Sequence, residues 1–345
     1  MQTAQTIINT NANRMHMIPD KSVHLIVTSP PYPMVEMWDD IFAKQNPEIT
    51  NALKTNPTEA FNKMHKILDE VWKECERVLI DGGFACINIG DATRTFNDKF
   101  QLFSNHTKII ESFSNLGFTV LPDIHWRKQT NSPNKFMGSG MYPAGAYVTY
   151  EHEYILIFRK GNKRMFDKNS KVARQESAYF WEERNVWFSD LWNVKGTKQF
   201  MLKGDRDRNG SYPLEIPYRL INMYSTYGDL VLDPFAGLGT TNLACMLTGR
   251  DGIGIEISYD IKTLALERLM NTDIEMANEF INRRIATHNE FINSLSEDKK
   301  EKCYKNVNHD FLVKTKQEQK MQLYKITAID DINDIIVCEY KKHHD

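Results

Sequence analysis

Two short segments combine residue types that could bind a ligand and act on it. The first is Asp233-Pro-Phe-Ala-Gly-Leu-Gly-Thr-Thr241, in which Gly237 and Gly239 allow a ligand to approach the backbone closely. Glu256 follows 23 positions after Asp233, at the end of the next apolar run, where a carboxylate can accept hydrogen bonds from both hydroxyls of a ribose. The segment matches neither a Walker loop nor the dinucleotide G-x-G-x-x-G. It predicts a pocket for a ribose-containing ligand; a tight strand-to-helix connection is the alternative.

The second segment, Ser29-Pro30-Pro31-Tyr32, joins a hydroxyl group, a rigid turn and an aromatic ring. An aromatic amine is a poor nucleophile because its lone pair is delocalised into the ring, so an enzyme must orient that lone pair. A serine oxygen and a carbonyl oxygen held by prolines can accept both amino hydrogens, and a tyrosine face can stack on a base. The segment fits a site for a base amine; an ordinary Ser-Pro-Pro turn is the alternative.

Both segments follow short apolar strands in a chain that alternates strand and helix patterns. Val23–Thr28 is β-branched and apolar and stops at two prolines, which is typical of a buried strand. The other predicted elements are helices over Pro57–Leu79, Phe103–Leu116, Pro213–Tyr227, Thr240–Thr248 and Tyr259–Met270, and strands over Phe84–Ile89, Thr119–Trp126, Glu153–Phe158, Leu230–Leu232 and Gly252–Ile257. The alternation predicts a mainly parallel sheet with helices on both faces. Beyond Asn271 we expect helix to about Lys302 and a hairpin from Gln322 to Tyr340.

Positive charge is concentrated in the middle of the chain. The net charge of −2 gives no global reason to expect nucleic-acid binding, but Trp126–Arg174 carries ten Lys and Arg against three acidic residues. From Gly161 to Ser211 the chain is basic and aromatic with little regular period, which favours an insert. Five cysteines without a C-x-x-C pair predict reduced thiols and no metal site. No apolar run approaches the ~18 residues that span a bilayer, so we expect a cytoplasmic location and no membrane partner.

Together the two segments resemble the amino-methyltransferase family of DNA modification enzymes. Its members combine an (Asp/Asn/Ser)-Pro-Pro-(Tyr/Phe) catalytic loop with an Asp-Pro-Phe-x-Gly-x-Gly-Thr-Thr cofactor loop, and the order found here is that of the beta group. The resemblance covers residues 5–270. It implies an α/β, Rossmann-like S-adenosylmethionine-dependent methyltransferase fold with a circularly permuted, mostly parallel sheet, in which the strand around Thr6–Asn9 lies beside the strand that ends at Glu256. The implied organisation is a first catalytic half over 1–160, a target-recognition insert over 161–211, a cofactor-binding half over 212–270 and a C-terminal extension over 271–345.

The resemblance also assigns roles to individual residues. The target-base loop is Ser29, Pro30, Pro31 and Tyr32. The residues expected around S-adenosyl-L-methionine are Asn11, Thr28, Asp233, Pro234, Phe235, Ala236, Gly237, Gly239, Thr240, Thr241 and Glu256. Asn11 departs from the family, where an Asp often contacts the adenine of the cofactor. The implied reaction is a direct methyl transfer to the amino group of a base that has left the duplex, without a cysteine nucleophile.

The basic middle of the chain is expected to contact double-stranded DNA, with phosphate contacts from Lys and Arg and base contacts from polar side chains. The candidates are Lys128, Asn131, Lys135, Lys163, Arg174, Lys195, Lys198 and Arg206. Within the family, Ser-Pro-Pro-Tyr occurs mostly in cytosine-N4 enzymes and Asp-Pro-Pro-Tyr mostly in adenine-N6 enzymes, which favours cytosine and keeps adenine as the alternative. An RNA or protein substrate, or a DNA-binding module without catalysis, are further alternatives. We expect a cognate restriction endonuclease without a stable complex, and a monomer or homodimer.

Overall fold

A ten-stranded mixed sheet organises the chain in the computed structural model. The structure describes residues 1–128, 137–138, 142–195 and 212–343. The strands are β1 Gln2–Asn9, β2 Val23–Thr28, β3 Leu79–Ile89, β4 Ala92–Phe96, β5 Lys99–Phe103, β6 Phe118–Arg127, β7 Met137–Gly138, β8 Ala146–Tyr147, β9 His152–Lys160, β10 Leu191–Trp192, β11 Leu230–Asp233, β12 Asp251–Glu256, β13 Tyr304–Lys305, β14 Leu312–Val313, β15 Tyr324–Asp331 and β16 Ile335–Lys342.

Helices cover the sheet. They are α1 Asp39–Gln45, α2 Glu48–Thr55, α3 Pro57–Val78, α4 Asn105–Asn115, α5 Lys168–Glu176, α6 Trp181–Trp187, α7 Glu215–Tyr224, α8 Thr240–Thr248, α9 Tyr259–Met270, α10 Ile274–Asn293 and α11 Glu297–Lys300, with short 3₁₀ helices at Glu36–Trp38 and Lys316–Lys320. In the described part of the chain, no helix is both long and apolar enough to cross a membrane.

The strand order of the main sheet is β10-β6-β9-β3-β2-β11-β12-β1-β16-β15. Its centre is parallel: β3, β2, β11, β12 and β1 run in one direction. The N-terminal strand pairs with the strand that ends at Glu256, with Asn9 opposite Glu256, so the permuted arrangement expected from the sequence is confirmed. The chain therefore extends the sheet next to β12 with a strand from its own beginning.

Strand β2 shows why helices are needed on both faces. Leu25 and Val27 belong to the apolar cluster that contains α7 and α8, whereas Ile26 belongs to the cluster formed with α3. All three side chains are fully buried. A strand buried on both faces reads as a continuous apolar run, which is the pattern that predicted it.

Residues 161–195 contain more regular structure than their sequence suggested. The segment has little apolar periodicity, yet it forms α5 and α6, and β10 extends the main sheet by pairing Trp192 with Trp126. The C-terminal extension supports it: Phe180 packs in one cluster with Ile281 and Phe311. The helical and hairpin parts expected beyond Asn271 are present as α10, α11 and the β15–β16 pair.

Candidate active site

The two motif segments meet at the carboxyl edge of the parallel strands. Ser29 follows β2, Asp233 ends β11 and Glu256 ends β12. Strand β11 lies between β2 and β12, and the chain proceeds from β11 toward β12 but from β2 toward β3 on the other side. Ligands of open α/β sheets bind at such a reversal, where the two loops diverge and leave a crevice.

Asp233 organises the base of this crevice. One carboxylate oxygen accepts hydrogen bonds from Thr28 Oγ1 (2.5 Å) and Phe235 N (3.0 Å), and the other accepts from Thr241 Oγ1 (2.5 Å) and Tyr212 Oη (3.4 Å). Burial nevertheless raises the pKa of Asp233 to about 6, because desolvation outweighs these donors. The carboxylate therefore links the two motif segments, and its charge changes just below neutral pH.

The glycine-rich turn and Glu256 form the adjoining wall. Gly237 and Gly239 have φ of 51° and 71°, a left-handed conformation that favours glycine, and α8 begins directly after them. Glu256 accepts from Gly237 N through Oε2 (3.1 Å) and from Ser258 N through Oε1 (2.8 Å). A carboxylate oxygen can accept more than one hydrogen bond, so a carboxylate fixed in this way is suited to a ribose.

A cavity of about 680 Å³ joins these groups. Its lining includes the predicted residues Asn11, Ser29, Pro31, Asp233, Pro234, Phe235, Ala236, Gly237, Thr240 and Glu256, with Tyr212 and the largely apolar side chains Trp38, Ile41, Phe42, Ile67, Leu68 and Val71. Thr28 and Thr241 contact Asp233 behind the wall, and Gly239 caps α8. The volume falls within the range of small-molecule sites, and a few polar groups among apolar walls suit a nucleoside-containing cofactor.

Asn11 lines the cavity and is half-buried. Its side chain donates to Gln45 Oε1 (3.1 Å) and accepts from Asn13 N (3.2 Å). The amide is thus held by a local turn and by α1, an element that the sequence did not predict.

Ser29, Tyr32 and Glu153 form a directed chain of hydrogen bonds beside the cavity. Tyr32 Oη donates to Glu153 Oε2 (2.9 Å), and Ser29 Oγ lies 3.1 Å from Tyr32 Oη. Because Tyr32 donates its phenol proton to Glu153, the hydrogen bond between Ser29 and Tyr32 must use the hydroxyl proton of Ser29. Burial, reinforced by the negative charge of Glu153, raises the pKa of Tyr32 well above its ordinary value, so the phenol keeps its proton. Asn88 Nδ2 donates to Ser29 Oγ over 3.4 Å. Since a serine oxygen has two lone pairs, Ser29 can accept one amine hydrogen as well.

Asn88 and Lys128 complete this cluster. Asn88 Nδ2 lies 2.8 Å from Tyr32 Oη and 2.7 Å from Glu153 Oε2, and Lys128 Nζ forms an ion pair with Glu153 Oε1. The sequence interpretation missed Asn88 and Glu153 as site residues. The available signal was a polar side chain inside an apolar strand, because a buried polar residue is more informative than an exposed apolar one.

The DNA candidates separate into two groups. Lys128 lies at the carboxyl edge beside Glu153, and Lys195 lies on the same side, directly after Val194, whose carbonyl accepts from Trp126 Nε1 (3.0 Å). Lys163 and Arg174 lie instead along a groove that reaches His24 and Gly82 at the amino edge of the strands. Asn131, Lys135, Lys198 and Arg206 lie outside the described residues.

The described residues include side chains of the types that ligate metals, the five cysteines among them. Among the residues that the structure describes, no group of three or more His, Cys, Asp or Glu side chains is arranged to hold a metal ion. Four of the five cysteines are buried, and burial raises the thiol pKa of Cys75, Cys86 and Cys245 far above its ordinary value. These three thiols are therefore protonated and unreactive.

The fold and this edge define an α/β protein with a cavity suited to a nucleoside-containing cofactor, next to the loop that contains Ser29 and Tyr32. Residues 23–267 match the DNA methylase family model, and the chain belongs to that family. It is 49% identical over 329 residues to the type II methyltransferase M.MthZI of Methanothermobacter thermautotrophicus, covering 94% of this chain and 91% of that protein. It is 48% identical over 297 residues to the type II methyltransferase M.MjaI of Methanocaldococcus jannaschii, covering 81% and 97%.

A solved structure shares the fold. TTHA0409 of Thermus thermophilus, in complex with S-adenosyl-L-methionine, aligns with a TM-score of 0.60 at 31% identity, covering 76% of this chain and 93% of that one. The Rossmann-like α/β class expected from the sequence is thereby confirmed.

Proposed function

We propose that this chain transfers a methyl group from S-adenosyl-L-methionine to the N4 amino group of cytosine in duplex DNA, at a specific sequence. When bound, the cofactor supplies a methyl group on a positively charged sulfur. The observation that carries the proposal is the hydrogen-bond chain from Ser29 through Tyr32 to Glu153 at the edge of the cofactor cavity. It orients a neutral hydroxyl as an acceptor where a base amine would arrive.

Each part of the site has a task in this reaction. Ser29 Oγ accepts one amino hydrogen, which directs the nitrogen lone pair away from the ring and toward the cavity. The ring of Tyr32 stacks on the base, while its hydroxyl is held by Asn88 and Glu153. The base must leave the duplex to reach this loop, at a cost of a few kcal/mol. Apolar walls such as Trp38 and Val71 exclude water from the cofactor side.

The choice of cytosine rests on Ser29. The first position of the loop holds a neutral hydroxyl rather than a carboxylate, the form that accompanies cytosine-N4 activity in the family that the sequence resembles. A restriction endonuclease of matching specificity remains part of the proposal, supported by the type II methyltransferase names of the two relatives. If one exists, DNA from cells that express this chain resists cleavage by it.

The test is mass spectrometry of nucleosides from DNA of cells that express the wild type, Ser29→Ala or Ser22→Ala. We expect N4-methylcytosine with the wild type and with Ser22→Ala, a matched serine at the other end of β2. Ser29→Ala loses one oriented acceptor, so transfer by the purified protein falls about 100-fold, with cofactor binding unchanged. Detection of N6-methyladenine instead would support the same site but show that the target base is adenine. Absence of any modified DNA base would contradict a DNA substrate and favour RNA or a protein amide.

A further inference from the structure

A second large groove lies at the amino edge of the parallel strands, whereas the cofactor cavity lies at their carboxyl edge. Its volume is about 1320 Å³, and it reaches His24 and Gly82 at the amino ends of β2 and β3. Ser29 follows His24 by five residues along β2, which is about 16 Å at ~3.3 Å per residue. The groove and the proposed catalytic loop therefore lie at opposite ends of β2.

The walls of the groove come from three parts of the chain. Helices α5 and α6 form one wall, the end of β9 with its following loop forms the second, and the 3₁₀ helix Lys316–Lys320 forms the third. Two hydrogen bonds join the first and third walls: Trp181 N donates to the side chain of Glu318 through Oε1 (2.9 Å), and Gln322 N donates to the Glu176 carbonyl (3.0 Å). The shape is thus built into the fold.

The lining is strongly cationic. Its basic side chains are Arg159, Lys163, Arg164, Lys171, Arg174, Arg184, Lys316 and Lys320. Of these, only Arg164 pairs with a carboxylate within the described ranges, through two contacts of 2.6 and 2.8 Å to Asp229. The one acidic side chain in the lining, Glu318, is buried and accepts from Trp181 N and from Thr315. The other seven cations thus face the groove without a carboxylate partner in the described part of the chain.

Two aromatic side chains of the groove already pack against other side chains. Phe166 is covered by two guanidinium groups, with Arg164 and Arg174 at 4.7 and 4.6 Å from its ring centre. Trp181 stacks on Phe291 at 5.4 Å. A single strand would need free rings on which to stack its bases, whereas a duplex presents phosphates to cations.

We infer that this groove binds the phosphate backbone of a second DNA duplex segment, without sequence preference, while the catalytic edge acts on the first. The inference rests on the proposed function, because the polyanion is the class of substrate already assigned to the enzyme. Lys163 and Arg174 then belong to this second site, and Lys128 and Lys195 to the catalytic edge. An enzyme with both sites can hold a neighbouring duplex while it modifies the first.

A bridging measurement tests the inference. A biotinylated fragment that the wild type methylates is immobilised and loaded with protein, and a short fluorescent duplex of unrelated sequence is then added. We expect the wild type to capture the fluorescent duplex and Lys171→Glu/Lys320→Glu to capture about tenfold less, because two phosphate contacts become repulsive. The control Lys54→Glu/Lys66→Glu makes the same change in net charge at exposed positions of α2 and α3 and should capture as the wild type does.

The outcomes separate the second site from the catalytic one. The charge-reversed variant should still bind the immobilised fragment and methylate it within about twofold of the wild type. Equal capture by this variant, or no capture by the wild type, would overturn the inference, since a dimer that bridges through two catalytic edges does not need Lys171. Loss of binding to the first fragment would also overturn it, by making the groove the substrate site. If the variant melts early, Lys171→Glu/Lys316→Glu replaces it. Absence of methyl transfer by the wild type would refute the proposed function instead.

Discussion

Glu153 is the residue that sets the direction of the hydrogen bonds in the proposed catalytic loop. Its carboxylate accepts from both Tyr32 and Asn88 and pairs with Lys128, although the side chain is almost fully buried. A buried acceptor of this kind fixes which way each hydroxyl proton points, because burial excludes bulk water as another partner. The orientation of Ser29 is therefore set by a residue that does not itself line the cofactor cavity.

Replacing Glu153 by Gln should lower turnover without changing cofactor affinity. The amide can donate to Tyr32, which would turn the phenol proton toward Ser29 and occupy the lone pair that an amine hydrogen needs. We expect kcat to fall about tenfold to 100-fold, equivalent to about 1.4–2.7 kcal/mol, with KM for S-adenosyl-L-methionine unchanged. Steady-state kinetics at two fixed DNA concentrations would separate the two parameters.

A neighbouring, half-buried carboxylate provides the control for Glu153. Glu151 pairs with Arg127 at 3.1 Å near the same strand end, outside the hydrogen-bond chain. Glu151→Gln should therefore retain wild-type kcat. If Glu153→Gln instead raised KM for the cofactor with kcat unchanged, the carboxylate would have a cofactor role and the directed chain would be the wrong explanation.

At the scale of elements, helix α10 connects the C-terminal extension to helix α6. Arg284 on α10 forms a two-contact ion pair with Glu183 on α6, at 2.5 and 2.8 Å, and His288 lies 2.8 Å from Glu182. Glu183 also accepts from Phe180 N at the start of α6 (2.9 Å). The extension thus braces a segment whose own sequence has little apolar periodicity.

Arg284→Met should destabilise the fold by about 3–5 kcal/mol, since it leaves the largely buried Glu183 without its countercharge. The double variant Arg284→Met/Glu183→Gln should recover part of the loss because the unpaired charge is gone. Arg283→Met, at an exposed neighbour on the same helix, should stay within about 0.5 kcal/mol of the wild type. Urea unfolding measures all three, and equal losses for Arg283→Met and Arg284→Met would contradict the brace.

Element bounds were predictable where end signals are local. Helices α8 and α9 run over the predicted residues, because glycines flank the first and Ser258 caps the second by accepting from Ile261 N. The β4–β5 hairpin was missed. Its turn, Asn97-Asp98, has both residues at positive φ, but Asn-Asp is a weaker signal for this turn than Asn-Gly. Helices α1 and α2 are short and also escaped prediction.

At the scale of the whole molecule, the cofactor cavity depends on contacts that sequence spacing does not reveal. The motif positions were predictable because strand ends and loop chemistry are local. The cluster of Asn88, Glu153 and Lys128 was not, because three strands distant in sequence bring it together. The same holds for the basic groove, whose charges come from residues 159–184 and 316–320. The net charge of the chain did not indicate this groove, because the groove forms only when segments distant in sequence pack together.

Cofactor binding should stabilise the whole fold in a pH-dependent way, because the cavity joins both ends of the catalytic domain through Asp233. At 100 times its Kd, S-adenosyl-L-methionine should add about 2.7 kcal/mol to the free energy of unfolding and raise Tm by several degrees. The positive sulfonium favours ionised Asp233, whose pKa is about 6, so the ligand-induced shift should shrink as pH falls below 6. Folding raises the pKa of Asp233, so the free energy of unfolding of the ligand-free protein has the opposite pH dependence. The contribution of Asp233 to that free energy decreases as pH rises from about 4 to 6.

Thermal melts with and without S-adenosyl-L-methionine between pH 5 and 8 measure both effects, with Asp233→Asn as the matched variant. The amide keeps the shape of the side chain but carries no charge. Its NH₂ group would face hydroxyl groups that donate to Asp233 in the wild type, chiefly that of Thr241. We expect a smaller ligand-induced shift that no longer varies around pH 6. A wild-type shift that is constant down to pH 5 would show that the charge of Asp233 does not contribute to binding, and its role would then reduce to holding Thr28 and Thr241 in place.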